Sequence, residues 1–191
     1  MKELETIITA LKTRFQALSS EIVSADQAYV EISKDLAVPA LTHLKESLGF
    51  VHLSFFTCVD YIEEDRFELL YMVHSYKQNL DLGINVTLPR QSGWDGPMPL
   101  SVEMEGIHHI WPAAETYQRE LREMYGIVFP GSPRLYDDFA LEGWREMPPM
   151  RRDFDTKAYS EKTYFARPGR VKSDNRKNLK DTLYPSEAET W

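Results

Sequence analysis

Apolar residues recur along this chain at two spacings, and the switches between them lay out the fold. Leu4, Ile7, Ile8, Leu11, Phe15 and Leu18 follow the i, i+3, i+4, i+7 rule, which predicts a helix over residues 2–19 with one buried stripe. Residues 28–33 (AYVEIS) alternate briefly, in the manner of an edge strand. Residues 35–48 read as a second helix, with Pro39 tolerated in its first turn and Gly49 as its stop. Three runs of period two follow. Val51, Leu53, Phe55 and Val59 share one face of the first, against His52, Ser54, Cys58 and Asp60. Phe67, Leu69, Tyr71 and Val73 line the second; Leu80, Leu82, Ile84, Val86 and Leu88 line the third. Short polar connections at 63–65 and 77–79 predict an antiparallel meander.

A sheet with one apolar face needs helices to cover it. After a Gly/Pro loop over 89–99 and a short strand within 100–105, Ile110, Ala114, Tyr117, Leu121 and Met124 define a third amphipathic helix. Gly126 stands at its C-cap position. The order α-β-α-β-β-β-α predicts an α+β fold, a two-layer sandwich of an antiparallel or mixed sheet with helices packed on it, over residues 1–129. From Pro130 the periodicity disappears. Residues 130–191 read as an extended C-terminal segment that wraps a partner subunit and becomes ordered on it, and residues 151–191 interleave charged and aromatic side chains with no pattern that folds alone.

Composition narrows the function classes. At 191 residues and 42% hydrophobic, the chain carries a real core plus an appendage. No stretch approaches the roughly 18–20 apolar residues that cross a bilayer. The start, MKELETIITALKTRF, lacks the apolar block of a signal peptide, so a soluble intracellular chain is expected. The net charge of −8 is unevenly spread: residues 151–191 hold ten Lys/Arg and seven Asp/Glu, leaving 12 basic and 23 acidic residues before them. So acidic a globular part argues against nucleic acid, whose phosphates need a basic footprint. The basic tail suits an acidic protein surface.

Single cysteine usage rules out an internal disulfide and an all-cysteine cluster, and Cys58, in FFTCVDY, reads as a packed thiol. His108 and His109 are adjacent and so point apart, which makes them a poor metal pair; Asp137-Asp138 lacks a third carboxylate at calcium-loop spacing. No GxGxxG, P-loop or GxSxG occurs, and Gly93 and Gly96 around Trp94-Asp95 are turn chemistry. On the helix over 112–125, Glu115, Arg119 and Glu123 form a ladder at spacing four, with Glu120 beside the apolar stripe. Composition leaves two equal readings of that ladder. It is a solvated flank, or else Arg119, Glu120 and Glu123 fix the descending segment or dock a partner by charge-assisted hydrogen bonds.

The run Arg119-Glu120-x-x-Glu123-x-x-Gly126-Ile127-x-Phe129-x-Gly131-x-Pro133-x-Leu135 resembles the signature of the C-type, or 30 kDa, subunit family of respiratory complex I. That family usually shows ERExxDxxGIxFxGHPxLxR, followed by a P-L-R-K-D-Y element that Pro149-Met150-Arg151-Arg152-Asp153-Phe154 resembles. Val59-Asp60-Tyr61, Phe67 to Tyr71, and Ser101-Val102 leading to Trp111 and Ala114 fall in the family's order, so the likeness spans roughly residues 50–154. Gln118 stands where the signature opens on an acidic residue, Ser132 where it has histidine, Glu123 where aspartate is common, and Tyr136-Asp137 where arginines are usual. These departures suggest a divergent branch, such as one serving a hydrogenase-like or ferredoxin-linked relative.

The resemblance implies a non-catalytic, cofactor-free subunit of the hydrophilic arm of a membrane-bound oxidoreductase that couples electron transfer to ion translocation. Its partners would be the large D-type, 49 kDa-type subunit (or a hydrogenase large subunit) and the small B-type Fe–S subunit. It would lie on the cytoplasmic side, with the membrane met only through the complex. Fe–S clusters, and FMN or a NiFe centre, would sit in those partners; an energy-converting hydrogenase or formate hydrogenlyase-type complex is the alternative assembly. Arg119, Glu120, Glu123, Arg151, Arg152 and Asp153 are then the expected interface polar groups. Gly126, Phe129 and Pro133 set the path of the segment leaving the helix, which is expected to be protease-sensitive after about residue 130. Two other classes stay open on the residues alone. One is a module binding a small ligand on the sheet face near Cys58 and Trp94; the other is an enzyme built on His108, His109 and nearby carboxylates.

Overall fold

A computed structural model describes residues 2–91, 102–144 and 146–163. The loop carrying Gly93, Trp94 and Gly96, together with residues from 164 onward, lies outside the described residues. The chain divides into two compact units, Met1–Phe154 and Asp155–Trp191. The first unit therefore runs past the expected boundary at residue 129 and includes the Pro-rich segment before residue 155.

In the first unit, helix α1 (Lys2–Phe15) is followed by strands β1 (Ser19–Ile22) and β2 (Gln27–Glu31), then helix α2 (Lys34–Leu48). Strands β3 (His52–Tyr61), β4 (Arg66–Ser75) and β5 (Leu80–Pro89) form the meander, and β6 (Val102–Glu103), α3 (Ala114–Tyr125) and β7 (Ile127–Val128) close the unit. The main sheet has the order β1-β2-β5-β4-β3; β2 lies parallel to β5 and every other pairing is antiparallel. A separate parallel pair joins β6 to β7. In the second unit, helix α4 (Thr156–Thr163) starts beside Asp155, whose carboxylate accepts the Ala158 N–H at 2.9 Å.

Several boundaries differ from the expected ones for local reasons. The first helix stops at Phe15 because Gln16 takes a left-handed φ of 51° and Leu18 donates its N–H to Glu31 at 2.8 Å, entering the sheet. Leu18 is therefore exposed and belongs to no buried stripe. The segment expected to be an edge strand, β2, is flanked on both sides, because the short polar strand β1 covers it. Pro39 falls in the second turn of α2, while Gly49 (φ 76°) ends that helix.

The largest change is in β3. A β-bulge between Leu53 and Phe55 shifts the alternation, so that Leu53, Phe56, Cys58 and Asp60 face inward while Phe55 and Val59 turn outward. The expected apolar face of Val51, Leu53, Phe55 and Val59 is thus split between the two sides. The inner face meets α1 and α2 over β5 and β2, and α3 over β3. Phe56 stacks on Tyr71 with ring centroids 4.1 Å apart and meets Phe129 edge-on at 5.5 Å. Trp111 Nε1 and the Tyr117 hydroxyl donate to the Val51 and Ser54 carbonyls, which occupies part of the sheet's β3 edge.

Candidate functional site: a strap held by a buried ionic latch

The segment after α3 is fixed from the helix outward. Gly126 (φ 80°) caps α3 by donating to the Arg122 and Leu121 carbonyls, so only a residue free to adopt this φ can turn the chain here. Phe129 then drops into the core, and Gly131 (φ 80°) and Arg134 (φ 48°) steer the chain back along the helix. The Glu123 carboxylate accepts three backbone N–H groups, from Phe139 at 2.7 Å and from Ala140 and Leu141 at 2.9 Å each. Charge-assisted bonds of this kind are roughly twice as strong as neutral ones. Arg134 pairs with Glu115 at 2.8 Å, and the guanidinium groups of Arg119 and Arg122 lie over the rings of Phe139 and Tyr136. The helix's charge ladder therefore holds the descending strap. It is not a solvated flank.

The far end of the strap is anchored by an ion cluster. Its centre is Asp60, which the bulged phase of β3 points inward. Arg90, the residue after β5, donates to Asp60 from Nε (2.7 Å) and Nη2 (3.3 Å), and Nη2 also meets Asp153 at 2.7 Å. Arg151 Nε lies 3.2 Å from the same Asp153 oxygen and Nη2 donates to the Gln91 carbonyl. The Arg152 backbone N–H donates to Asp60 at 2.9 Å, so both the side chains and the main chain of this element are tied down. Asp60, Arg90 and Arg151 side chains are at most 2% exposed, and both guanidinium groups lie over the Phe67 ring. Burial alone would raise the Asp153 carboxyl; hydrogen bonds from Arg151 and Arg90 override it and hold the group below the usual carboxylate value.

A neutral counterpart sits at the start of the strap. Gln118, fully buried on α3, accepts the Ile107 N–H at 2.7 Å and donates to the Ser132 hydroxyl. Its Nε2 also lies 3.3 Å from His108 Nδ1. Gln118 and Ser132 are two of the positions where the sequence departs from the family signature, and here they are direct partners. An acidic side chain at 118 facing a serine would be a buried carboxylate with only the His108 imidazole beside it to balance the charge, so a neutral amide at 118 suits a hydroxyl at 132.

Of the residues expected at an interface, Arg119 and Glu123 hold the strap, Gly126 and Phe129 set its turn, and Arg151 and Asp153 form the latch within this chain. Arg151, buried, faces inward and is unavailable to a partner in this arrangement. Pro133 and Arg152 are exposed, the latter bound to the exposed Glu63, and Glu120 is half-buried. Glu120 adds a small push to the Tyr125 hydroxyl, raised to about 12 chiefly by burial and further by Cys58 and Asp60. The latch residues Asp60 and Arg90 escaped sequence reasoning, because only the bulge reveals that Asp60 points into the core.

The other candidate chemistries fare differently. Cys58 is packed in the core beneath the helices, which fills the sheet face expected to take a ligand there; burial, with Asp60 and Glu68 nearby, pushes its thiol far up. His108 and His109 stand edge to face with ring centroids 5.7 Å apart. Among the described residues, no three His, Cys, Asp or Glu side chains are grouped closely enough to share a metal ion. No helix among them is long and apolar enough to cross a membrane.

Residues 30–160 match the family model described as "Respiratory-chain NADH dehydrogenase, 30 Kd subunit". The chain belongs to this 30 kDa subunit family. That match runs from the end of β2 through the strap and both anchors. Among relatives, the C-type subunit of NADH-quinone oxidoreductase from Rhizobium rhizogenes is 30% identical over 86% of this chain and 77% of its own length. The C-type subunit of F(420)H(2) dehydrogenase from Methanosarcina mazei is 33% identical over 80% of this chain and 92% of its own. A C/D-type subunit of NADH-quinone oxidoreductase from Aquifex aeolicus is 31% identical over 65% of this chain but only 19% of its own length. A chain in the structure of an archaeal membrane-bound sulfane sulfur reductase shares the fold, with a TM-score of 0.74 over 91% of this chain and 98% of its own at 23% identity.

Proposed function

We propose that this 30 kDa-family chain is a non-catalytic assembly subunit of the peripheral arm of a complex I-like, membrane-bound oxidoreductase that couples electron transfer to ion translocation. The observation that carries the reading is the strap: a segment with little core of its own is held at both ends and presents Pro133, Tyr136, Met150 and Arg152 outward. A rigid, pre-ordered docking element lowers the entropy cost of association and keeps redox groups in neighbouring chains at fixed separations. The chain supplies the frame; electrons and ions move elsewhere.

The partners on this reading are a large D-type, 49 kDa-type subunit and a small B-type Fe–S subunit. The Aquifex relative named C/D supports the first, since a part resembling this chain is there joined covalently to a much larger remainder. Iron–sulfur clusters, and FMN or a NiFe centre, belong to those partners; this chain's lone cysteine supports that division. The chain then meets the membrane through the complex, on its cytoplasmic side. A different assembly of the same type, with a hydrogenase-type complex among its forms, is the second reading, supported by the 33% identity to a C-type subunit of F(420)H(2) dehydrogenase, which is not an NADH-quinone enzyme by name.

The test is a Tyr136→Asp, Met150→Asp double variant in cells making the whole complex. Both side chains are exposed, so the fold should survive while co-purification of the large and Fe–S subunits drops several-fold. Stoichiometric retention of both subunits would remove the strap as the docking element.

A further inference from the structure

The sheet has a second face, turned away from the helices, and its pattern points to a partner of its own. The bulge in β3 that sends Asp60 inward turns Phe55 and Val59 outward, where they are 38% and 42% exposed. Pairing registers extend Phe55 across the strands: it faces Met72 on β4, Met72 faces Gly83 on β5, and Gly83 faces Tyr29 on β2. Gly83 makes this band continuous, since a Cβ there would stand 2.3 Å from the Tyr29 ring that lies across it. An apolar row therefore runs across four strands on the face opposite the core.

Acidic groups flank that row. Glu31 and Glu68 stand on one side of it and Asp81 on the other, and Glu21 continues it at the β1 edge. The strands contribute one arginine to this face, Arg66, already bound to Glu64 at 2.7 Å and to Glu68 at 2.8 Å and stacked on Tyr61. His74 is engaged by Asp81 at 2.9 Å. A second copy of this chain would bring like charges together, which disfavours self-association here.

We infer that the outer face of the β-sheet is a second docking surface, taking a neighbouring protein subunit that presents an aliphatic or aromatic ridge bordered by Lys and Arg. Complementary potential at the border guides approach and register, while Phe55 supplies the desolvated centre and Val59, opposite Glu68, an apolar contact at its acidic border. This rests on the assembly reading above but uses the side of the molecule away from α3 and its strap.

A photo-crosslinking amino acid placed at Phe55 and Val59 in turn, with one at Tyr136 as a separate report on the strap, tests it in the full complex. Crosslinks from 55 and 59 should reach a co-purifying subunit through a peptide rich in Lys and Arg. A Glu31→Lys, Asp81→Lys background should reduce their yield several-fold and leave the Tyr136 crosslink intact. Crosslinks from 55 and 59 to a second copy, to this same chain, or to none overturn the inference, as does a yield indifferent to the two reversals. If Tyr136 still crosslinks in those cases, the strap reading survives; if no site crosslinks to another protein of the complex, both fall.

Discussion

Replacing Asp60 with alanine should destabilise the first unit far more than any surface ion pair would. The carboxylate, 1% exposed, accepts two bonds from Arg90 and one from the Arg152 backbone. Its loss leaves a guanidinium buried at 2% exposure with Asp153 alone to balance it, and orphans the Arg152 N–H. Removing one member of a buried pair costs about 3–5 kcal/mol; because Asp153 still compensates part of the charge, about 3 kcal/mol is expected. For a unit of this size that lowers the melting temperature by roughly 6–12 °C. Urea titration followed by tryptophan fluorescence measures it, with Glu63→Ala, the exposed partner of Arg152, as the control that should leave the midpoint unchanged. Amide exchange should accelerate over residues 146–154 more than in β4. A loss under about 1 kcal/mol, or equal effects of Asp60→Ala and Glu63→Ala, would refute a latch.

Three further outcomes follow from the same geometry. Glu123→Ala removes the acceptor of three backbone N–H groups and should cost about 1–3 kcal/mol, with limited proteolysis opening the strap near residues 139–141 while wild type is first cut after Phe154. Because Asp153 is held below its ordinary value in the folded state, its contribution is complete above the unfolded carboxyl value of about 4 and disappears as pH falls through the lower folded one; Asp153→Asn should be less stable than wild type at neutral pH, with the two chemical-denaturation curves converging in acid. Gln118→Glu alone should destabilise by burying a carboxylate with only His108 beside it, and adding Ser132→His should recover more stability at pH below about 6, where imidazole is charged, than acid alone recovers in the single variant; no extra recovery in the double variant would break the link between the two positions.

Much of the fold was legible because its strongest signals are periodic. The stripes of α1 and α2 and the alternation of β4 and β5 survive into the structure almost unchanged, since each buries one continuous face. Elements set by non-local pairing were harder to read. Nothing local in Ser19–Ile22 marks a strand; it exists because β2 offers it a free edge. The β3 bulge adds one residue to a strand whose composition suits either phase, and this conceals which of Phe55 and Asp60 goes inside. The strap was the most deceptive part. Its Pro, Arg and aromatic content reads as a segment without a core, yet Glu123, Asp60 and Arg90 hold it by hydrogen bonds that follow no sequence period. The charge ladder of α3 offered that role as one of two equal readings, while Asp60 entered only within the Val59-Asp60-Tyr61 block of the resemblance and Arg90 not at all.

Affinity purification of the native assembly through a tag on this chain, with mass spectrometry of its companions, addresses the scaffold role most directly. The scaffold role requires a large 49 kDa-type chain and a small Fe–S chain at one copy each per copy of this one, carrying all of the iron and all of the turnover. Recovery of this chain alone, with bound metal or with redox activity of its own, would contradict it.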